Sequence, residues 1–248
     1  MPVTAPPSLS RRIAAEAVGT ALLLAAVVGS GIMAERLSGG SVGLALLANA
    51  LATGGALVAL ILTFGPISGA NFNPAVTLAD ASQGGLPWRE APLYVGAQVF
   101  GAFAGVAAAH LMFGEPLFAA STHVREGASQ AFSEGIATFG LLSVIWGVSR
   151  SRATVVPFAV AAYIVGAYWF TASTSFANPA VTLARAATNT FAGIRPVDVP
   201  LFLVAQLVGA ACATGLFRWL SPAVPAVAPE LVVPHGGDTP STGSRSGP

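Results

Sequence analysis

Asn73 and Asn178 open two identical stretches, Asn73-Pro74-Ala75-Val76-Thr77-Leu78-Ala79 and Asn178-Pro179-Ala180-Val181-Thr182-Leu183-Ala184, which lie 105 positions apart (73 to 178). Asn is a strong helix N-cap, Pro is preferred at the first helical position, and a residue before Pro is pushed out of the α region, as a cap must be. Each stretch therefore starts an apolar helix whose N-terminus carries about half a positive charge and unpaired N–H donors. The two side-chain amides add further donors at the same points. The chemistry on offer is hydrogen-bond donation at two helix ends of positive sign. Glu16 and Glu134 are the two charges most deeply placed in apolar runs. An intramembrane carboxylate costs at least about 2.5 kcal/mol unless partnered, so each needs a role.

Composition fixes the surroundings of these groups. Of 248 residues, 54% are hydrophobic and only 8% charged, with a mean hydropathy of +0.73. A water-soluble surface carries about a quarter or more charged residues, so this is an integral membrane protein. The net charge of +1 gives no reason to expect a nucleic-acid partner. His110, His123 and His235 are scattered and Cys212 is the only cysteine, so no metal site, cofactor site, disulfide or nucleophile–base pair is expected. Cys212, within an apolar run, reads as a small buried packing residue.

Six segments are long and apolar enough to cross a bilayer, at approximately 11–34, 42–65, 90–113, 128–149, 153–172 and 197–220. Arg11-Arg12 and the run after them resemble a signal peptide, but Glu16 within that run and the segments that follow mark a retained first helix. The two Asn-initiated helices fall between the second and third segments and between the fifth and sixth. The first runs to Gln83, before Gly84-Gly85, and the second to about Phe191, before Gly193. At about 1.5 Å per residue these are half-helices of roughly 16–21 Å, short of the ~30 Å hydrocarbon layer. Such ends at membrane depth are tolerated only when buried in protein or lining a water-filled cavity.

The repeat extends further. Glu16-Ala17-Val18-Gly19-Thr20 matches Glu134-Gly135-Ile136-Ala137-Thr138, and Ala97-Gln98 with Gly101-Ala102 matches Ala205-Gln206 with Gly209-Ala210. Three spanning helices per half is an odd number, so the second half is inverted about an axis in the membrane plane. The expected organisation is a tail at 1–9, a channel domain at 10–220 built of repeats 10–113 and 128–220, and a disordered tail at 221–248. Gly101, Gly105, Ala205 and Gly209, at small-residue spacing, are read as helix-packing positions.

Two Asn-Pro-Ala boxes on opposed re-entrant half-helices, within six apolar segments, resemble the aquaporins, or major intrinsic proteins. The resemblance covers roughly residues 10–220. It implies an all-α membrane protein of six spanning helices plus two half-helices, a pore at Asn73, Pro74, Ala75, Asn178, Pro179 and Ala180, and a homotetramer with one pore per subunit. It also implies that Glu16 and Glu134 brace the box loops by accepting backbone N–H bonds. The competing reading of those glutamates is a proton-coupling site in a transporter.

Counting by the family's spacing from the boxes puts the outer constriction at Thr53, Gly166, Ser175 and Val181. Most members carry Arg where this chain has Val181, commonly an aromatic where it has Thr53, and, in water-selective members, His where it has Gly166. All four residues are small or medium and uncharged, so the constriction is expected to be wide and to lack a fixed positive charge. Val181 also resembles the outer filter of a bacterial subgroup associated with arsenic detoxification. Arg185, one turn beyond, is read as facing solvent, with partial replacement of the missing filter charge as its alternative, and Tyr168-Trp169-Phe170 as an interfacial belt. Phe176 is read the same way, with a pore-lining role as its alternative. At the inner mouth Asn71 and Pro66 replace two common histidines, which removes any obvious pH gate.

The reading is a passive channel for small neutral solutes, meaning water and glycerol- or arsenite-like molecules, and not an enzyme. The leading alternative is a secondary transporter, and a structural membrane protein is the next. Positive-inside counting gives seven arginines to one side (11, 12, 89, 150, 152, 218, 245) and four to the other (36, 125, 185, 195). That places both termini in the cytoplasm of a cell whose inner (plasma) membrane holds the protein.

Overall fold

The computed structural model describes residues 7–221, so the expected tails at 1–9 and 221–248 lie, apart from residues 7–9 and 221, outside the described residues. Helices α1 (Leu9–Leu37), α2 (Val42–Ser68), α4 (Ala91–Phe113), α5 (Ala128–Arg152), α6 (Val156–Phe170) and α8 (Val199–Leu220) are long and apolar enough to cross a bilayer, α6 and α8 counted with the short 3-10 turn that precedes each. Between them lie the short helices α3 (Pro74–Gln83) and α7 (Pro179–Arg185). No strand occurs among the described residues.

The packing shows the duplication. α1 lies most extensively against α4, and α5 against α8, so the first and third long helices of each half form one tight pair. Glycine makes that approach possible. A methyl on Gly101 or Gly105 would drive into the carbonyls of Ala17 or Ala21, and one on Gly209 into the carbonyl of Gly135. The expected packing role of these positions follows from backbones in direct contact. α2 and α6 then pack across the two halves.

Both half-helices start as their caps dictate. Asn73 and Asn178 are extended, and each side-chain oxygen accepts from the N–H two residues on, at 2.9 Å from Ala75 and 3.0 Å from Ala180. α3 stops at Gln83, where Gly84 takes the left-handed conformation. α7 is shorter than expected and stops at Arg185 instead of about Phe191. The polar run Thr188-Asn189-Thr190 favours turns over helix, and the Ile194 N–H returns to the Arg185 carbonyl at 3.2 Å, doubling the chain back. Cys212 is exposed, not buried, because the buried face of α8 runs along Gln206, Gly209, Ala210 and Ala213.

Candidate functional site

The loops that lead into the half-helices are wound tightly. Gly69, Ala70 and Phe72 before the first box have positive φ, and so do Thr174, Ser175 and Ala177 before the second, the same three positions shifted by 105. Five of the six are not glycine, a conformation that costs roughly 1–2 kcal/mol per residue. The compensation is a carboxylate behind each loop. Glu16 accepts from the N–H of Asn71 (3.0 Å) and Phe72 (2.8 Å), from the Ser68 hydroxyl (2.7 Å) and from the Gln98 amide (2.7 Å). Glu134 accepts from the N–H of Phe176 and Ala177 (both 2.8 Å) and from the Gln206 amide (2.6 Å). Gln98 and Gln206 also donate to Thr77 and Thr182, each at 2.8 Å, which ties the carboxylate to the half-helix itself. All six residues of this doubled network are fully enclosed. The two glutamines stand in the sequence repeat, beside the small packing residues, with no sequence signal of their own for this role.

The loops meet head on. The Asn73 amide donates to the Ala177 carbonyl at 2.7 Å, and the Asn178 amide to the Phe72 carbonyl at 2.8 Å. Each amide bears two hydrogens, so the second is left for whatever occupies the cavity these asparagines line. Pro74, Ala75, Pro179 and Ala180 are buried behind them as the first helical turns. The helices therefore point away from a common centre, both positive ends facing it.

A cavity runs past this centre, walled on one side by apolar residues of α1, α2, α5 and α6, among them Leu23, Leu57, Ile145 and Val160. Of the four residues assigned to the constriction, Thr53, Ser175 and Val181 line the cavity and Gly166 does not. Ile164 and Tyr168 reach the cavity from α6, and Gly166, two residues from each, lies on the opposite, exposed side. Spacing counted back from the box fails here because the tightly wound loop between α6 and α7 sets which face of α6 turns inward. Tyr168 is thus no belt residue; its hydroxyl is 3.2 Å from that of Thr53. Trp169 and Phe170 are exposed, as a belt requires. At the inner mouth Asn71 lines the cavity and Pro66 does not.

Arg185 overturns its expected outward orientation. It is 2% exposed, lines the cavity beside Val181, and stacks on the Phe176 ring with its guanidinium carbon 3.3 Å from the centroid. Phe176 itself is buried against the cavity. Arg125, a residue the sequence did not single out, is buried near the same ring at 4.9 Å. It donates to the carbonyls of Gly193 (2.9 Å) and Ser173 (3.0 Å), fixing the outer loop. Burial pulls its guanidinium down to about 10, so it stays charged at neutral pH. His110 is buried with Thr188 at 2.8 Å, and no cluster of metal-ligating side chains occurs among the described residues.

The geometry defines a membrane channel, and the relatives agree. The chain belongs to the major intrinsic protein family, whose model matches residues 4–172 and 149–241. It is 56% identical to the aquaglyceroporin AqpS of Rhizobium meliloti over 220 residues, 88% of this chain and 94% of that one. Identity is 32% with aquaporin NIP6-1 of Arabidopsis thaliana, over 85% of this chain and 68% of the relative, and 31% with aquaporin Z of Bradyrhizobium diazoefficiens, over 85% and 93%. The fold matches the X-ray structure of the aquaglyceroporin from Plasmodium falciparum with a TM-score of 0.67 at 24% identity, covering 88% of this chain and all of that one. Members of this family are channels, not enzymes.

Proposed function

We propose that the chain passes water and small uncharged solutes of glycerol or arsenous-acid size through a path centred on Asn73 and Asn178. The observation that carries this is the reciprocal amide arrangement, which leaves one hydrogen on each side chain for a passing lone pair at the meeting point of two positive helix ends. A neutral hydroxylated solute replaces lost hydration there. A cation meets two like-signed dipoles. At the outer constriction, Thr53, Ser175 and Val181 are small or medium, and Tyr168 is drawn toward Thr53 by its hydroxyl, which leaves room for a solute larger than water. The name of the Rhizobium meliloti aquaglyceroporin above is in keeping with such a solute.

The protein is taken to work as a multi-pass inner (plasma) membrane protein with cytoplasmic termini, as a homotetramer with one path per subunit. Swelling of proteoliposomes in glycerol, urea and arsenite gradients tests the solute reading. Transport of all three beside water is expected, and movement of water alone overturns it. Saturable uptake coupled to an ion gradient would instead make the protein a transporter, although both buried carboxylates are already occupied as acceptors.

A further inference from the structure

Val181 leaves the outer end of the path without a charge at the position one turn into α7, yet a guanidinium reaches the same cavity from the next turn. Arg185 Nε donates to the Ala192 carbonyl, and the guanidinium lies flat on Phe176. Neither Nη has a hydrogen-bond acceptor among the described residues, neither is among the sealed-off polar atoms, and Arg185 lines the cavity. No carboxylate forms an ion pair with it; the four ion pairs among the described residues involve Arg12, Arg36 and Arg195. A buried, unneutralised charge held by one carbonyl and one ring is costly unless something uses it.

We propose that Arg185 is the charge-selecting residue of the outer constriction, excluding cations and offering its free Nη donors to the oxygens of neutral hydroxylated solutes. The ring keeps the guanidinium flat against the wall, so the charge reaches the path without the side chain closing it. Phe176 and the Ala192 carbonyl are its mount, and Arg125, its Nε committed to Gly193 and one Nη to Ser173, holds the loop that carries the ring. The inference rests on the channel reading above.

The test uses full-length protein in proteoliposomes, with potassium leak and glycerol swelling measured side by side. Wild-type vesicles are expected to swell in glycerol and to hold potassium. R185Q is expected to leak potassium about tenfold faster or more, since a unit charge beside the path is removed, and to swell more slowly in glycerol, since the Nη donors are lost with it. R185K is expected to remain tight. R185H adds a readout that a purely structural role would not move. Imidazole titrates near neutrality, so its potassium leak should rise as pH goes from 5 to 8, with wild type, which retains His123, Arg125, Tyr168 and Glu134 nearby, as the flat control. Potassium-tight R185Q vesicles that still swell, equal leaks in R185Q and R185K, or a flat R185H profile would each overturn the proposal. Wild-type vesicles that fail to swell in any neutral solute overturn the channel reading itself and this inference with it, a result distinct from the other three.

Discussion

A carboxylate oxygen between two N–H groups can only accept, and that asymmetry makes Glu134 irreplaceable by its isostere. In E134Q one oxygen becomes an NH2 that faces the N–H of Phe176 or Ala177, or the Gln206 amide, donor against donor. Losing one charge-assisted bond and leaving a buried donor unmet costs about 1.5–3 kcal/mol. E134Q and its counterpart E16Q should therefore unfold at lower temperature in detergent than wild type, and Q206A should fall less, because it leaves both backbone bonds intact. Equal stability of E134Q and wild type would remove the bracing role. The sequence repeat exposed these acidic positions because both copies carry the same residue. Tyr168 and Arg185 were hidden for the opposite reason. Neither is repeated, since the positions 105 earlier hold Thr63 and Asp80, and their orientation depends on the course of a loop that no periodicity encodes. Gly166 was misplaced by the same loop.

At the scale of the element, cap chemistry decides. Asp caps a helix about as well as Asn, so N178D should preserve α7 and its bond to the Ala180 N–H. It also exchanges the amide that donates to Phe72 O for an oxygen that repels that carbonyl, and puts a negative charge at the positive centre. Glycerol swelling should drop about tenfold or more while the protein stays folded, because one bond that positions the tip is lost and the field there is reversed. Unchanged swelling would make Asn178 a cap and nothing else. V181R, one turn further out, should narrow the accepted solutes toward water, since its long side chain enters a ring now walled by Thr53, Tyr168 and Ser175; an unaltered panel would take Val181 out of the constriction. The half-helices were legible from the Asn-Pro pair, which names both the start and its geometry. The end of α7 was not, because Gly193 is the first strong breaker in the sequence, whereas the helix yields earlier to the Thr188 hydroxyl held by His110 and to the chain returning at Ile194.

For the whole molecule, inversion follows from three long helices per half, and the structure sorts the loops onto two faces accordingly. Arg36 with Glu115, Ser121 with Ala186, and Arg195 with both Glu126 and the His123 carbonyl gather the α1–α2, α4–α5 and α7–α8 connections at one end. Arg125 with the Ser173 carbonyl adds the α6–α7 connection to that end, while Arg12 with Glu90, and Tyr94 with Ser68, hold the α2–α3 and α3–α4 connections at the other. Burial changes the charge count that orients them. Arg125 and Arg185 are interior residues with no loop charge to offer, which leaves Arg36 and Arg195 on one face against Arg11, Arg12, Arg89, Arg150, Arg152 and Arg218 on the other. The margin is wider than the sequence alone allowed, and the positive-inside rule predicts that the richer face is cytoplasmic. In a C212A background, V124C on the poorer face and W88C on the richer one, both exposed positions, report the orientation. A membrane-impermeant maleimide added to intact spheroplasts should label V124C and reach W88C only after lysis. The reverse pattern would invert the protein in the bilayer, put the Arg185 constriction at the cytoplasmic mouth, and require cation exclusion to act on the opposite side from the one proposed.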